Sequence, residues 1–212
     1  VVVKVKRPGI METFSSDVEL LYIVARRFEH VLKDHASPLQ IVSEFDHYTR
    51  RELDFTYELH NILAFAHTFA HHPVITIPRA HTSYCTKNML VLEFLDGRDV
   101  SVAHHLSKTV AKQIMDTFVY QVFTAGVFHA DLHPGNVIIL PRGRIGLVDF
   151  GIVGMLSETL REQGISLWTA IINDDAEGAY HVLLDIGFSS KNSNLDALRR
   201  DIYDVLYQWR VS

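Results

Sequence analysis

The spacing of hydrophobic positions changes several times along the 212 residues, and each change marks a predicted element. Val1-Val2-Val3-Lys4-Val5 is β-branched apart from one lysine, which predicts a strand ended by Arg7-Pro8-Gly9. Residues 11 to 34 alternate polar and apolar at helical spacing, with Leu20, Leu21, Ile23, Val24, Phe28 and Leu32 on or near one face. Pro38 opens a second helical run, about 40 to 70, in which Ile41, Phe45, Tyr48, Phe55, Leu59, Ile62 and Ala66 recur. The step from Tyr48 to Phe55 is seven, and Glu52 fills it. At about 100° per residue, Glu52 falls near the middle of the apolar stripe. An acid there needs a partner. Asp54 and Glu58 share a flanking face.

An antiparallel pattern comes next. "VITIPRAH" reads as one strand with a Pro bend, "TSYCTKN" as the turn and "MLVLEFL" as a second strand, broken by Asp96-Gly97-Arg98-Asp99. Short helices are expected at 100–106 and at 109–126, the latter ending at Gly126. "VIIL" and "IGLV" then form a hairpin around Pro141-Arg142-Gly143-Arg144. Helices are expected at about 157–173, 175–187 and 194–209. The order predicts an α+β fold: a sheet-containing small lobe over 1–95 and a larger helical lobe over 96–212.

Composition narrows the function classes only a little. The chain is 48% hydrophobic and 21% charged, which suits a globular protein with a sizeable core. A net charge of −5 argues against a nucleic-acid partner. Cys85 is the single cysteine, so no intrachain disulfide forms, and it reads as a small buried hydrophobe. Residues 59 to 78 lack acids, Lys and Arg but carry five His or Asn residues and two prolines, a poor membrane span. No signal peptide is visible, and the chain opens in strand-like sequence without Met, as a fragment would.

The chemistry concentrates in "FHADLHPGN" and the predicted hairpin after it. Asn136 comes just before the first hairpin strand and Asp149 just after the second, so antiparallel pairing brings both to one open end. An amide oxygen and a carboxylate there suit Mg²⁺. Asp131 lies on the loop feeding that end, as a candidate proton acceptor for a nucleophile. Lys4 is a candidate phosphate ligand and Glu52 its candidate partner. Taken singly, Lys4 reads as an edge-strand lysine in solvent and Glu52 as a helix acid reaching water. Together, the strand lysine, helix acid, His-x-Asp-x-x-x-x-Asn, hairpin and Asp-Phe-Gly form the ordered parts of kinase-like phosphoryl transfer.

"VKVKRPG", "RRELDFTYELHN", "FHADLHPGN" and "LVDFGIVG" resemble the UbiB/AarF (ADCK-type) atypical kinase family over most of the chain. The resemblance implies a protein-kinase-like two-lobe fold, here with an N-terminally truncated small lobe. It also implies ATP and Mg²⁺ as cofactors, a role in ubiquinone or related isoprenoid-lipid biology, and membrane association in bacteria, mitochondria or plastids. Glu52-Leu53-Asp54 matches the family's Glu-x-Asp pattern, and helix 11–34 looks like its insertion. By position, Lys4 would hold the α- and β-phosphates and Asp131 would be the catalytic-loop aspartate. Asn136 and Asp149 would hold the metal, and Glu52 or Glu58 would pair with Lys4. "VLEFLDG" resembles the hinge, with Leu92 as gatekeeper and the backbones of Glu93 and Leu95 facing adenine. Ala130 stands where protein kinases carry arginine, and no Ala-Pro-Glu segment comes after Asp-Phe-Gly. The family's upstream Lys-x-Gly-Gln motif and alanine-rich nucleotide loop do not occur here.

Two other functions compete. His129-x-Asp131-x-His133 has the residue types of a metallohydrolase site. A non-catalytic kinase-like module that senses nucleotide or lipid would carry the same polar residues.

Overall fold

The computed structural model describes residues 1–29, 37–100, 107–187 and 194–211. Leu32 and residues 101–106 of the expected short helix lie outside them. The chain forms two compact units, neither continuous in sequence. Val1–Ile114 with His129–Val153 make the first, and Met115–Phe128 with Gly154–Ser212 make the second.

In the first unit, β1 (Val2–Val5) pairs antiparallel with a later strand, Met89–Leu92, placing Lys4 opposite Leu90. Along β1 the valines are exposed and only Lys4 is half-buried. The strand therefore turns its charged side chain inward, against the usual alternation. Gly9, at φ 75°, precedes α1 (Ile10–Phe28). The buried positions of α1 are Val18 and Ala25, one heptad apart, whereas Leu20, Leu21, Ile23, Val24 and Phe28 are exposed. The predicted apolar face is thus not the one that packs inward.

The expected single helix over 40–70 is two helices. Pro38 and Ser37 start α2 (Pro38–Glu52), the Ser37 hydroxyl accepting from the Gln40 N–H. Asp54 then caps α3 (Phe55–Thr68), its carboxylate accepting from the Thr56 N–H at 2.9 Å. The break resets the helical phase. Ile41, Phe45 and Tyr48 on α2 are exposed, while Glu58, Ile62, Phe65 and then Phe69 form the buried stripe of α3 and its end.

β2 (Ile75–Thr76) is shorter than "VITIPRAH" suggests. It runs parallel to a hairpin strand, and only an Ala80–Leu92 bridge joins this segment to β3 (Met89–Leu92). Pro78 supplies no N–H, which limits the ladder. β4 is Arg98–Asp99, and β5 (Val127–His129) leads into the polar loop. β6 (Val137–Ile139) and β7 (Ile145–Leu147) form the expected antiparallel hairpin; Val137 stands opposite Leu147, where pairing 137–140 with 145–148 would have put it opposite Val148. The sheet order is β2-β7-β6-β4. Arg142 (φ 63°) and Gly143 (φ 73°) turn the hairpin through the left-handed region. Gly97 is needed for close approach, since a Cβ there would sit 2.5 Å from Ile138 Cγ2.

α4 (Lys108–Val119), which belongs to the second unit from Met115 on, runs into a wider π-type turn, Tyr120–Ala125, and the helical run stops at Gly126 (φ 69°) as expected. β8 is Val153–Met155. α5 (Glu158–Ile172), α6 (Ala176–Ile186) and α7 (Leu195–Val211) match the three predicted helices. Their core is small: Ala170, Ala176, Ala179 and Leu206, with Leu167, Ile171 and Ile202 against it. Phe118 and Tyr120 are more than a third exposed.

Candidate active site

Lys4 is the centre of a three-charge cluster. Its Nζ lies 2.7 Å from Glu58 Oε1 and 3.1 Å from Asp149 Oδ1. Glu58 is buried on the inner stripe of α3, Lys4 keeps partial exposure, and Asp149 stays half-exposed. Of the two acids open to pair with Lys4, the ion pair is made by Glu58. Glu52 lies on the exposed last turn of α2, where it accepts a hydrogen bond from the Tyr48 hydroxyl. Partial burial first, then that hydrogen bond and the charges of Glu52 and Asp131, push the Tyr48 phenol up to about 12. The preference for Glu52 assumed an unbroken helix, and the break at Asp54 removes it.

Asp54 itself is occupied as an N-cap. Its carboxylate takes both the Thr56 N–H and, at 2.7 Å, the Thr56 hydroxyl. Burial raises its pKa, but these bonds with the charges of Lys6 and Lys87 outweigh that and hold it below the ordinary value.

The loop after β5 is built from its own backbone. Nδ1 of buried His129 accepts the Asp131 N–H at 3.2 Å, so the ring proton is on Nε2, which donates to the Val148 carbonyl at 2.9 Å. With both ring nitrogens engaged, His129 is no metal ligand, and the metallohydrolase reading loses its first donor. Among the described residues no group of three or more His, Cys, Asp or Glu side chains could hold a metal. The Asn136 amide donates from Nδ2 to the Asp131 carbonyl at 3.0 Å. That bond fixes the amide and leaves Oδ1 as its free end. The Val148 N–H donates to the Asn136 carbonyl at 3.1 Å, closing the hairpin mouth. Asp149 comes next at φ 61°, a left-handed conformation that aspartate tolerates better than most residues.

Phe150 anchors this arrangement from below. It is fully buried, with ring centroids 4.9 Å from Phe65 and 5.2 Å from His129. Its carbonyl accepts the Asn61 side-chain N–H at 2.8 Å. Sequence reasoning missed Asn61 and Phe65. The signal was present in the three- and four-residue steps from Glu58 to Ile62 to Phe65, once α3 is phased from its own cap.

One cavity of about 300 Å³ in the first unit collects most of the expected residues. Leu92, Glu93, Leu95, Lys4, Asn136 and Asp149 all line it, joined by Val2, Pro78, Phe94, Gly135, Ile138 and Val148. Aliphatic side chains from β1, β3, β6 and the end of β7 make an apolar slot. Lys4, Asn136 and Asp149 supply a polar side. Asp131 is not among the lining residues and sits on the adjoining loop. Residue by residue, Val2 was findable from Lys4, two positions away on the same strand face, and Val148 from its neighbour Asp149.

The donor set fits a hard divalent cation. Asp149 offers a carboxylate, Asn136 a pre-oriented amide oxygen, and Glu58 with Asp149 outweigh the single Lys4 charge.

The ABC1 atypical kinase-like domain matches residues 1–183. The chain belongs to that atypical kinase-like family. A relative from Histophilus somni (strain 129Pt), described as "Probable protein kinase UbiB", is 28% identical over 218 residues, covering 97% of this chain and 40% of the relative. A solved structure, the complex of Rv3197 with erythromycin from Mycobacterium tuberculosis, superposes with a TM-score of 0.67. It is 24% identical and covers 95% of this chain and 54% of that one, a likeness of fold. The chain thus spans about two fifths to one half of the length of these relatives. The fold of this chain is α+β and kinase-like, and Phe150 packs against Phe65 and His129 within it.

Proposed function

We propose that the first unit binds Mg-ATP and transfers its γ-phosphoryl group to a hydroxyl or to water. The observation that carries this is the two-sided cavity: an apolar slot for a flat base, with Lys4, Asn136 and Asp149 gathered on its polar side. The Glu93 N–H already donates to the Arg79 carbonyl at 2.8 Å. The Glu93 carbonyl and the Leu95 backbone are then the hinge groups offered to adenine beside Leu92. Lys4, held by Glu58, would contact the phosphates. Asn136 and Asp149 would hold Mg²⁺, which supplies neutralisation of phosphate charge when bound. Asp131 would orient the acceptor and take its proton. Catalysis here is positioning and electrostatics, which rigid hydrogen-bonded loops provide.

The family resemblance extends the proposal to isoprenoid-lipid metabolism, such as that of ubiquinone, at a membrane surface. Among the described residues no helix is long and apolar enough to cross a membrane.

The test separates binding from chemistry in the full-length protein. Asp149→Asn is expected to weaken Mg-dependent ATP affinity about tenfold or more by calorimetry, with little change in thermal stability. Asp131→Asn is expected to spare that affinity and lower turnover by about 10²- to 10⁴-fold. Mg-ATP binding without turnover in the wild type, with or without lipid vesicles, would favour a nucleotide-sensing module instead.

A further inference from the structure

His133 has no part in the proposed phosphoryl-transfer machinery, and its geometry is specific. Its Nδ1 accepts the Gly135 N–H at 3.1 Å, so the ring proton lies on Nε2. Nε2 stands 3.9 Å from Asp131 Oδ2, beyond direct hydrogen-bonding reach. Both side chains are about half exposed, at 55% and 51%. A donor and an acceptor therefore face each other across a gap open to solvent. One oxygen atom placed between them can lie about 2.8 Å from each.

We propose that His133 and Asp131 form a two-point cradle for the hydroxyl oxygen that accepts the phosphoryl group. The inference rests on the phosphoryl-transfer reading and deepens it by assigning His133 as a second residue that positions the acceptor. The hydroxyl donates its O–H to the Asp131 carboxylate and accepts the Nε2–H of His133, while a remaining lone pair attacks the γ-phosphorus. The new O–P bond forms as the bond to the β,γ-bridging oxygen breaks. The electron pair leaves with ADP, and the proton passes to Asp131. An alcohol or water satisfies both partners. An ammonium group does not, because it has no lone pair to accept from Nε2. His133 is in this role a positioning residue that acts alongside Asp131.

The alternative is purely structural: the ring caps the short turn Pro134–Asn136 through Nδ1. The two nitrogens separate the roles. His133→Asn keeps an acceptor near the Nδ1 position and loses the donor that reaches Asp131. His133→Gln can return a donor to the Nε2 position and loses the cap. Steady-state turnover and Mg-ATP affinity are measured for both in the full-length protein. The cradle predicts that H133N turns over about tenfold more slowly at unchanged Mg-ATP affinity, and that H133Q recovers most of the loss. H133N as active as the wild type, or H133Q no better than H133N, overturns it. A wild-type protein that never turns over ATP removes the phosphoryl-transfer reading and the cradle with it, whereas an active wild type with an active H133N removes the cradle alone.

Discussion

At the residue scale, Glu58 shows how burial selects among similar side chains. Glu52, Asp54 and Glu58 all lie within seven residues, and each ends in a different environment. Glu52 is exposed beside Tyr48, Asp54 is spent on a helix N-terminus, and only Glu58 is buried against Lys4. A buried carboxylate that loses its charge leaves its cation underpaired, whereas an exposed one is replaced by water. Glu58→Gln is expected to cost about 1–2 kcal/mol of stability, a discounted figure because Lys4 stays partly exposed and keeps Asp149. It should also reduce Mg-ATP affinity or turnover about tenfold, while Glu52→Gln changes either by less than about threefold. Chemical denaturation and nucleotide titration of the two variants check both statements, and equal effects would remove the distinction. Residue types at this scale were legible: Lys4, Asp131, Asn136 and Asp149 stand out in the sequence by kind and order. Which acid meets Lys4 was not, because that depends on helical phase.

At the element scale, the break between α2 and α3 decides that phase. Read as one helix, residues 40–70 put Glu52 in the apolar stripe. Read from the Asp54 cap, the stripe is Glu58, Ile62, Phe65 and Phe69. Asp54→Ala is expected to lower stability by about 1 kcal/mol by removing the cap. Its pH dependence has a defined sign. Because the folded pKa is below the unfolded value near 3.8, the unfolded chain binds more protons as the pH falls. The cap contribution is complete above that value and disappears as pH falls through the lower, folded pKa. Thermal melts of the wild type and D54A should therefore converge in strong acid; a constant gap down to the lowest pH would count against the cap. Elsewhere, local signals sufficed: Gly126 ends the helical run that begins with α4, and Pro141 to Arg144 turn the hairpin. "VITIPRAH" misled because a parallel partner 70 residues away, β7, takes its first strand residues.

At the scale of the whole molecule, the first unit is assembled from segments far apart in sequence, and Phe150 is where they meet. Its ring touches Phe65 of α3 and His129 of the polar loop, and its carbonyl holds Asn61. Phe150→Ala is expected to destabilise the protein by about 3–5 kcal/mol and to lower ATP turnover beyond the fraction unfolded. Turnover per folded molecule, after denaturant titration, tests this; a stability loss with unchanged specific turnover would make Phe150 a core residue only. By itself, the amino-acid sequence determined α5 to α7, the hairpin and the ordered list of polar residues, because capping, turn chemistry and spacing act over a few residues. Only the tertiary structure decided that Lys4 turns inward among exposed valines, that Glu58 and not Glu52 meets it, that His129 has no nitrogen left for a metal, and that His133 faces Asp131. Apart from the exposed His133–Asp131 approach, which the loop backbone sets, those outcomes depend on which side chains the packed core excludes from water, a property of contacts between distant segments.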